Sequence, residues 1–474
     1  MEAGLPVRLT REPGALPGIG IVHLGLGAFF RAHGAVFTQE AMAASGGDWG
    51  ILGISLQSPT IRDQLAPQAG LYTALELAPT GPKARLVDVV QKVLVAPEDP
   101  EAVLAAMAAP GVRIVSLTVT EKGYCHEPAT GRLNLEHPGI AHDLVNDLPR
   151  TSIGFLVRGL QRRFAAGLAP FTVMTCDNLP HNGQLLRGLV LDFAGRLDKG
   201  LAAWIAEQGR FPCTMVDRIV PATTEADRER VAALTGFEDA SPVVHEPFRQ
   251  WVIEDAFVGG LRPDWGRVGA EMVVDVAPYE FMKLRMLNGT HSSLAYLGYL
   301  AGHETIADCL ADDVFRAFVR HLWAAEIIPA LTPPPGVRLA DYASALETRY
   351  ENPGIRHRTW QIAMDGSQKL PQRILGTLAE NLKAGRPCPG LMLAVAAWAQ
   401  YVSGKGLDGK PIDVRDPLAA TLAQAANAAD PITALLAMTQ VFPPELAPQL
   451  ATGLQAARNE LLTKGARGAI QALT

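Results

Sequence analysis

Residues 19–30 read Ile19-Gly20-Ile21-Val22-His23-Leu24-Gly25-Leu26-Gly27-Ala28-Phe29-Phe30. The first six predict a short buried strand, the glycines a turn, and the residues from about Arg31 a helix. This order is typical of a dinucleotide-binding turn, in which Gly25 permits the tight turn and Gly27 lets the backbone approach a pyrophosphate. Because Phe30 stands where a third glycine is usual, an ordinary strand-to-helix turn remains an alternative.

Similar apolar runs recur along the first half of the chain and alternate with helical patterns. The runs are Ile51–Leu56, Val112–Val119 and Phe171–Cys176, and the helical stretches include Glu101–Ala109 and Ser152–Ala166. Alternating strands and helices predict a parallel sheet. From about Pro278 onward the strand signals fade and helical patterns dominate. We therefore predict an α/β domain over residues 1–278 and a mainly α-helical domain over residues 279–474.

Composition limits the kind of partner. The chain has 474 residues, 48% of them hydrophobic and 19% charged, and its 42 Lys and Arg against 48 Asp and Glu give a net charge of −6. No long basic run is present, which disfavours nucleic acid and anionic membranes as partners and favours a small molecule. The five cysteines are widely spaced and predict reduced, mostly buried thiols. With no signal-like N-terminus and no apolar run long enough to cross a bilayer, we expect a cytoplasmic protein.

The second strand predicts little about cofactor choice. After Ile51–Leu56 the chain reads Gln57-Ser58-Pro59-Thr60, with no acidic residue at the position that usually binds the ribose 2′-hydroxyl of NAD. Arg62 lies close enough to suggest a 2′-phosphate and hence NADP. A helix-surface arginine is the alternative interpretation.

Polar residues follow the strand at Phe171–Cys176. Asp177 and Asn178 come directly after it, at the carboxyl end where open α/β sheets bind ligands. Asn178 is therefore a candidate to contact substrate. The alternative is a turn in which both side chains bond nearby backbone.

Three polar side chains interrupt an apolar stretch near residue 283. On an α-helix with about 100° per residue, Asn288 lies about 140° and His291 about 80° from Lys283, so the three share one broad side. A lysine beside apolar residues has a lowered pKa, which suits proton transfer, and an asparagine amide can donate to an oxygen that gains charge. A core histidine with a snorkelling lysine is the alternative.

Cations are concentrated between Arg356 and Arg373. This segment also contains Asp365-Gly366-Ser367 followed by Lys369 and a proline. The composition predicts an anion-binding segment arranged as an ordered loop. A solvated basic helix and turn is the alternative.

Taken together, these segments resemble the polyol-specific long-chain dehydrogenase/reductase family over nearly the whole chain. The resemblance rests on five motifs: Gly25-Leu-Gly-Ala-Phe-Phe-Arg-Ala-His33, Ser116-Leu-Thr-Val-Thr-Glu-Lys-Gly-Tyr124, Cys176-Asp-Asn178, Met215-Val-Asp-Arg-Ile-Val-Pro221 and Lys283–His291. It implies a Rossmann-type N-terminal domain, a mainly α-helical C-terminal domain and NAD as cofactor, with NADP not excluded.

The resemblance also implies roles for particular residues. Lys283 would be the general acid/base, Asn178 and Asn288 would polarise the carbonyl oxygen, and His291 would bond the substrate. Glu280 would relay protons to solvent, and no catalytic metal is expected. The implied cofactor-binding residues are Gly25, Gly27, Ala28, Phe29, Arg31 and Asp217.

Two blocks resemble the members of the family that reduce D-fructuronate. They are Glu246–Asp255 and Trp360–Arg373, and the second has Gln361 where mannitol-type members tend to have arginine. A uronate substrate adds a carboxylate that needs cationic partners, for which Arg358, Lys369 and Arg373 are the candidates.

We therefore expect an NAD-dependent enzyme that interconverts D-mannonate and D-fructuronate by hydride transfer, without a metal. The alternative substrates are mannitol or related hexitols and pentitols. A dinucleotide-binding sensor without catalysis is a further alternative. The expected partner is the small-molecule substrate, a sugar acid or polyol, with no nucleic acid and no membrane. We expect the protein to be a monomer or a weak homo-oligomer.

Overall fold

The computed structural model describes residues 7–127 and 130–473. The chain divides into two compact units, Met1–Ala277 and Pro278–Thr474. The sequence-based ranges, 1–278 and 279–474, divide it one residue later. Each unit is described by itself below.

A five-stranded parallel sheet forms the centre of the first unit. In spatial order its strands are Thr172–Thr175, Ile114–Leu117, Ile19–Leu24, Gly50–Ser55 and Val90–Val95. Numbered along the chain and read from the Val90–Val95 edge, this is the order 3-2-1-4-5 of a dinucleotide-binding sheet, which confirms the predicted α/β fold. The second and third strands of the chain lie on one side of Ile19–Leu24, and the fourth and fifth lie on its other side. The glycine turn therefore leaves the sheet at the point where the strand order reverses. The edge strand Val90–Val95 was not predicted, because Gln91 and Lys92 interrupt its apolar pattern.

Several helices of this unit begin with side-chain caps. The Asp99 side chain accepts the N–H of Ala102 at 2.9 Å, and the Thr151 hydroxyl accepts that of Gly154 at 3.0 Å. Side-chain oxygens at these positions satisfy N–H groups that the first helical turn leaves unpaired. The α-helices are Ala28–Ala32, Gly34–Ser45, Thr60–Leu65, Pro100–Ala108, Pro138–Val145, Ser152–Ala165, Asn182–Leu197, Lys199–Gln208 and Glu225–Thr235.

Smaller sheets, which the sequence did not predict, complete the first unit. One pairs Tyr72–Ala78 with Gly81–Val87 and Val243–His245, and another pairs Thr214–Asp217 with Gln250–Glu254 and Glu271–Val273. Two-stranded pairings join Val7–Arg8 to Phe237–Glu238 and His126–Glu127 to Arg132–Leu133. The antiparallel register of the second sheet sets Asp217 opposite Gln250.

The second unit is mainly α-helical, as predicted. Its central helix, Pro389–Val402, is almost wholly buried and packs against Thr290–Ala301 and Ala447–Gln471. The other α-helices are Ala277–Met282, which begins in the first unit, Ile306–Ala311, Asp313–His321, Leu339–Tyr350, Thr359–Ala363, Gly366–Leu370, Gly376–Lys383, Ala419–Ala426 and Pro431–Leu436. Three segments are π-helical: Lys283–Gly289, Leu322–Ile327 and Pro371–Leu375.

All five cysteines are buried free thiols. Within the described ranges, no helix combines the length and the apolar character that a bilayer-crossing segment needs.

Candidate active site

The glycine turn is shaped by close backbone contacts. Gly25 has φ +86°, and a Cβ there would lie 2.2 Å from the carbonyl oxygen of Thr118. Its N–H donates to the Ile54 carbonyl at 2.8 Å. At Gly27, by contrast, the nearest atom to a Cβ would be the Gly25 oxygen at 3.8 Å. The turn is therefore closed on the side of Gly25 and open at Gly27, which fits the approach of a pyrophosphate to the backbone.

The helix after the turn begins earlier than predicted. It starts at Ala28 rather than about Arg31, is interrupted at His33 and continues as Gly34–Ser45. Ala28 and Phe29 are half-buried. Phe30 is buried and stacks on His23, and a Cβ on Gly34 would lie 2.6 Å from its ring. Gly34 thus provides close packing in a motif that lacks the usual third glycine.

Arg31 is placed differently from the other predicted cofactor residues. It is only 4% exposed, its Nη1 donates to the Ser241 carbonyl at 2.5 Å, and its guanidinium lies over the Tyr72 ring. Tyr72 in turn donates to the Arg31 carbonyl at 2.8 Å. These contacts favour a structural role, and a contact between Arg31 and a cofactor stays a prediction.

A cavity of about 660 Å³ lies at the carboxyl ends of two neighbouring strands. Leu56 and Ala96, which follow Gly50–Ser55 and Val90–Val95, line it together with Pro97 and Phe155. Its polar lining includes His142, Asn146 and Arg150. A mostly apolar cleft with a few polar groups, at this edge of an open sheet, suits a flat heteroaromatic ligand.

Arg62 is already occupied by carboxylates. Its Nη1 lies 2.5 Å from Glu98 Oε2, and its Nε lies 2.7 Å from Asp63 Oδ1. Two acidic neighbours offset the charge that a 2′-phosphate would need. The arrangement supports the helix-surface interpretation of this arginine.

Asp177, which follows the strand Thr172–Thr175, is hydrogen-bonded to the segment that follows the neighbouring strand Ile114–Leu117. Its carboxylate accepts the N–H groups of Val119 and Thr120 at 2.9 and 3.1 Å and the hydroxyl of Tyr124 at 2.8 Å. Burial raises the pKa of this carboxyl group. Thr120 is held at φ +63°, a costly conformation for a non-glycine residue that often marks a functional segment. Asn178 is exposed at the carboxyl end of the sheet.

Asp217 ends the strand Thr214–Asp217 and is 3% exposed. The next residue, Arg218, donates to the carbonyls of Ala32 at 2.5 Å and Phe248 at 3.2 Å. Burial is the main cause that lowers the pKa of Arg218 to about 10. Arg218 therefore links this strand to the helix that follows the glycine turn.

In the second unit, the segment Lys283–Gly289 is a π-helix, so the α-helical angles predicted for it are wrong. Side-chain donors, one from the following turn and two from distant segments, bond carbonyls of the wide turn. The Met286 carbonyl accepts Thr290 Oγ1 at 2.5 Å and Trp323 Nε1 at 3.0 Å, and the Leu287 carbonyl accepts the Tyr350 hydroxyl at 2.9 Å. Segments of this kind are frequent at functional sites.

The π-helix changes which residues are neighbours. Its i→i+5 hydrogen bonding places residues five apart on successive turns, and Lys283 and Asn288 are separated by five. Lys283 is 6% exposed and Asn288 is half-buried. Glu280 lies half-buried in the preceding helix, Ala277–Met282.

His291 is held by aromatic contacts. It stacks on Tyr350 with ring centroids 4.6 Å apart, and His357 meets it edge-on at 5.1 Å. Its Nε2 is buried without a hydrogen-bond partner among the described residues. Burial, followed by the charges of nearby cations, lowers the pKa of His291 well below its ordinary value, so the ring is neutral at neutral pH.

The predicted ordered loop is helical instead. Asp365 has φ +55° and precedes the helix Gly366–Leu370, which continues into the π-helix Pro371–Leu375. The Asp416 carboxylate fixes the first turn by accepting the N–H and hydroxyl of Ser367 at 2.8 and 2.6 Å. This external carboxylate could not be inferred from the local sequence.

Lys369 and Arg373 come together, four residues apart on this helical segment. Lys369 Nζ donates to the Met364 carbonyl at 2.6 Å, and Arg373 Nη1 donates to Ser292 Oγ at 3.1 Å. Burial and then the charge of Arg373 lower the pKa of Lys369 to about 8, and burial lowers that of Arg373 to about 10. Arg373 thus reaches the helix turn that begins with His291.

Arg358 is placed apart from that pair. It is exposed, its Nε lies 3.5 Å from Glu304 Oε1, and it lines a cavity of about 660 Å³ that includes neither Lys369 nor Arg373. Its role in binding substrate stays a prediction. His357, which the sequence analysis missed, turns inward between exposed Arg356 and Arg358, and the alternation of an extended segment was the available signal.

Both halves of the chain match known domains. The mannitol dehydrogenase Rossmann domain matches residues 19–267, and the mannitol dehydrogenase C-terminal domain matches residues 275–461.

Individual relatives match over most of the chain. "Uncharacterized oxidoreductase YdfI" of Escherichia coli is 49% identical and covers 90% of this chain and 89% of its own. D-Mannonate oxidoreductase of the same organism is 46% identical, and the match covers 96% of this chain and 95% of that protein. The structure of Pseudomonas fluorescens mannitol 2-dehydrogenase with NAD and D-mannitol has a TM-score of 0.89 at 37% identity. The match covers 99% of this chain and 96% of that structure. The chain belongs to the mannitol dehydrogenase family of oxidoreductases.

Proposed function

We propose that this enzyme interconverts D-fructuronate and D-mannonate with NAD as its cofactor. The observation that carries the choice of a sugar acid is the pair of cations at Lys369 and Arg373. Their side chains bond a backbone carbonyl and a hydroxyl, and in the described part of the chain neither forms an ion pair with a carboxylate. Two half-buried cations of this kind suit a substrate that brings its own carboxylate. The 46% identical relative named as a D-mannonate oxidoreductase supports the same assignment.

The first unit has the features that NAD requires. The open side of Gly27 suits the pyrophosphate, and the cavity beside Leu56 and Ala96 suits the adenine. Glu98 and Asp63 disfavour the extra phosphate of NADP by pairing with Arg62. When bound, NAD supplies or accepts the hydride.

The proton chemistry is assigned to residues of the chain. In the reducing direction, the ammonium group of Lys283 donates a proton to the substrate oxygen as the ketone carbon is reduced. The amides of Asn178 and Asn288 donate hydrogen bonds to that oxygen, which stabilises its developing charge. Glu280 then returns a proton from solvent to Lys283. In the oxidising direction, neutral Lys283 accepts the hydroxyl proton.

NADH oxidation tests this assignment, with D-fructuronate and D-fructose as parallel substrates at neutral pH and NADPH in a matched series. We expect turnover with D-fructuronate and NADH to exceed every other combination. Preference for D-fructose would support the second candidate, a mannitol 2-dehydrogenase, which the structural match to the Pseudomonas enzyme favours. Lack of turnover with both substrates would contradict both assignments.

Gly27→Ala is expected to weaken NADH binding without unfolding the protein. The added Cβ meets no protein atom closer than 3.8 Å, so the clash falls on the bound pyrophosphate instead. We expect the Kd for NADH, measured by fluorescence titration, to rise at least about 10-fold with little change in Tm. Gly188→Ala is the control, because Gly188 is exposed within the helix Asn182–Leu197 and a Cβ there would meet nothing within 4 Å. Equal binding by Gly27→Ala and wild type would contradict the proposed position of the pyrophosphate.

The KM for D-fructuronate should rise as the pH increases through about 8. Lys369 is protonated below that pH and loses its charge above it, because its pKa is lowered to about 8. A carboxylate substrate would then lose one cationic partner, whereas D-fructose would not. Initial rates between pH 6.5 and 9.5 measure the effect, and Lys369→Arg should flatten it because arginine stays protonated. The same rise for both substrates would contradict a carboxylate contact at Lys369.

A further inference from the structure

The clearest unused feature is a pair of neutral histidines in the second unit. Nε2 of His291 and Nδ1 of His357 are both buried, and neither has a hydrogen-bond partner among the described residues. Native proteins pair nearly all such atoms, so two neighbouring exceptions need an explanation.

The orientation of a functional histidine is usually set by a hydrogen bond to one of its ring nitrogens. His291 is enclosed by rings instead. Tyr350 covers one face at 4.6 Å and 26°, and His357 meets the ring at 5.1 Å and 89°. Tyr350 is itself fixed, because its hydroxyl donates to the Leu287 carbonyl at 2.9 Å. Packing can therefore hold the His291 ring while Nε2 is left to a ligand.

The backbone fixes His357 in turn. Its carbonyl accepts the N–H of Ile306 at 3.1 Å, and the next residue but one, Thr359, donates its hydroxyl to the His303 carbonyl at 2.9 Å. Burial, with the charges of Arg373 and Lys369, lowers the pKa of His357 to about 4. The ring that meets His291 is therefore uncharged, and it adds no repulsion beside the two cations.

We propose that His357 is a positioning residue, whose ring holds His291 so that Nε2 can bond a hydroxyl group of the substrate. This inference rests on the proposed function only for the position of the substrate, whose proposed carboxylate partner Arg373 donates to Ser292 beside His291. It extends the site to a residue that acts through packing rather than through its nitrogens.

A double-mutant cycle with a conservative rescue tests the role. We expect His357→Ala to raise KM and to lower kcat/KM for the preferred substrate about 10-fold. His357→Phe preserves a ring and should stay within about twofold of wild type. In a His291→Ala background, His357→Ala should cause no further loss, because the residue it positions is already absent. The Kd for NADH and the Tm of each variant show whether any loss is specific.

Two outcomes would overturn the proposal. If His357→Phe were as impaired as His357→Ala, a nitrogen of His357 would be required rather than its ring. If His357→Ala caused the same loss with and without His291, the two residues would act independently. The cycle is run on whichever ketose or uronate the enzyme reduces, so failure of the D-fructuronate assignment is distinguished from failure of the positioning role.

Discussion

Replacing Lys283 with alanine is expected to lower kcat by a factor of about 10²–10⁴, the usual contribution of general acid/base catalysis. Lys283 is buried at the start of the π-helix, and an alanine there removes the ammonium group that would donate the proton. Steady-state NADH oxidation measures kcat, and fluorescence titration should show that the variant still binds NADH.

Lys383→Ala is the matched control for that experiment. Lys383 lies at the exposed end of the helix Gly376–Lys383 in the same unit, so its loss should leave kcat unchanged. A Lys283→Ala enzyme that retained turnover within about twofold of wild type would rule out the proton-transfer role. That result would not support the alternative of a non-catalytic sensor, because the protein would still turn over substrate.

Replacing Arg373 with alanine should reduce kcat/KM for D-fructuronate about 10- to 100-fold, which corresponds to the roughly 1.5–3 kcal/mol of a charged hydrogen bond. Arg373 contacts Ser292, the neighbour of His291, and sits four residues from Lys369. D-Fructose lacks the carboxylate and should lose far less. The measurement is the ratio of the two specificity constants in wild type and variant.

Arg356→Ala provides the comparison for charge removal alone. Its guanidinium is 68% exposed and lies 3.3 Å from Glu304, so the ratio should stay as in wild type. Equal losses for D-fructuronate and D-fructose in Arg373→Ala would mean that the arginine supports the fold or the helix, and the carboxylate contact would be abandoned.

The sheet could be predicted from sequence because its buried strands carry their own signal. Ile19–Leu24 and Thr172–Thr175 are short apolar runs that end at glycine or polar residues. Such a run can be recognised as a buried strand without knowing the tertiary structure. Val90–Val95 was not predicted because Gln91 and Lys92 interrupt its apolar pattern. The small mixed sheets pair segments far apart in the chain, such as Thr214–Asp217 with Gln250–Glu254, and local patterns do not encode such pairing.

The residues of the candidate site stay a prediction, whereas the local backbone that the sequence predicted around them was wrong. The polar residues of Lys283–His291 stood out in an apolar stretch, yet the π-helix depends on donors from Trp323 and Tyr350, which lie 37 and 63 residues from the carbonyls they bond. The helix at Gly366–Leu370 likewise depends on Asp416, 49 residues from Ser367. Distant side chains therefore decided the local backbone in both cases.

The wide turn at Lys283–Gly289 also limits which changes of chain length this helix can tolerate. Removing one residue between 284 and 288 would convert the i→i+5 turn into an ordinary i→i+4 turn and leave the later side chains near their present orientation, whereas inserting one would rotate them by about 100° relative to Lys283. His291 would then leave the rings of Tyr350 and His357, and Gly289 would leave the Arg373 carbonyl, which a Cβ there would approach to 2.7 Å. Substitutions change one side chain at a time and the wide turn can accommodate the loss of one residue, whereas an insertion here changes the register of the whole site at once.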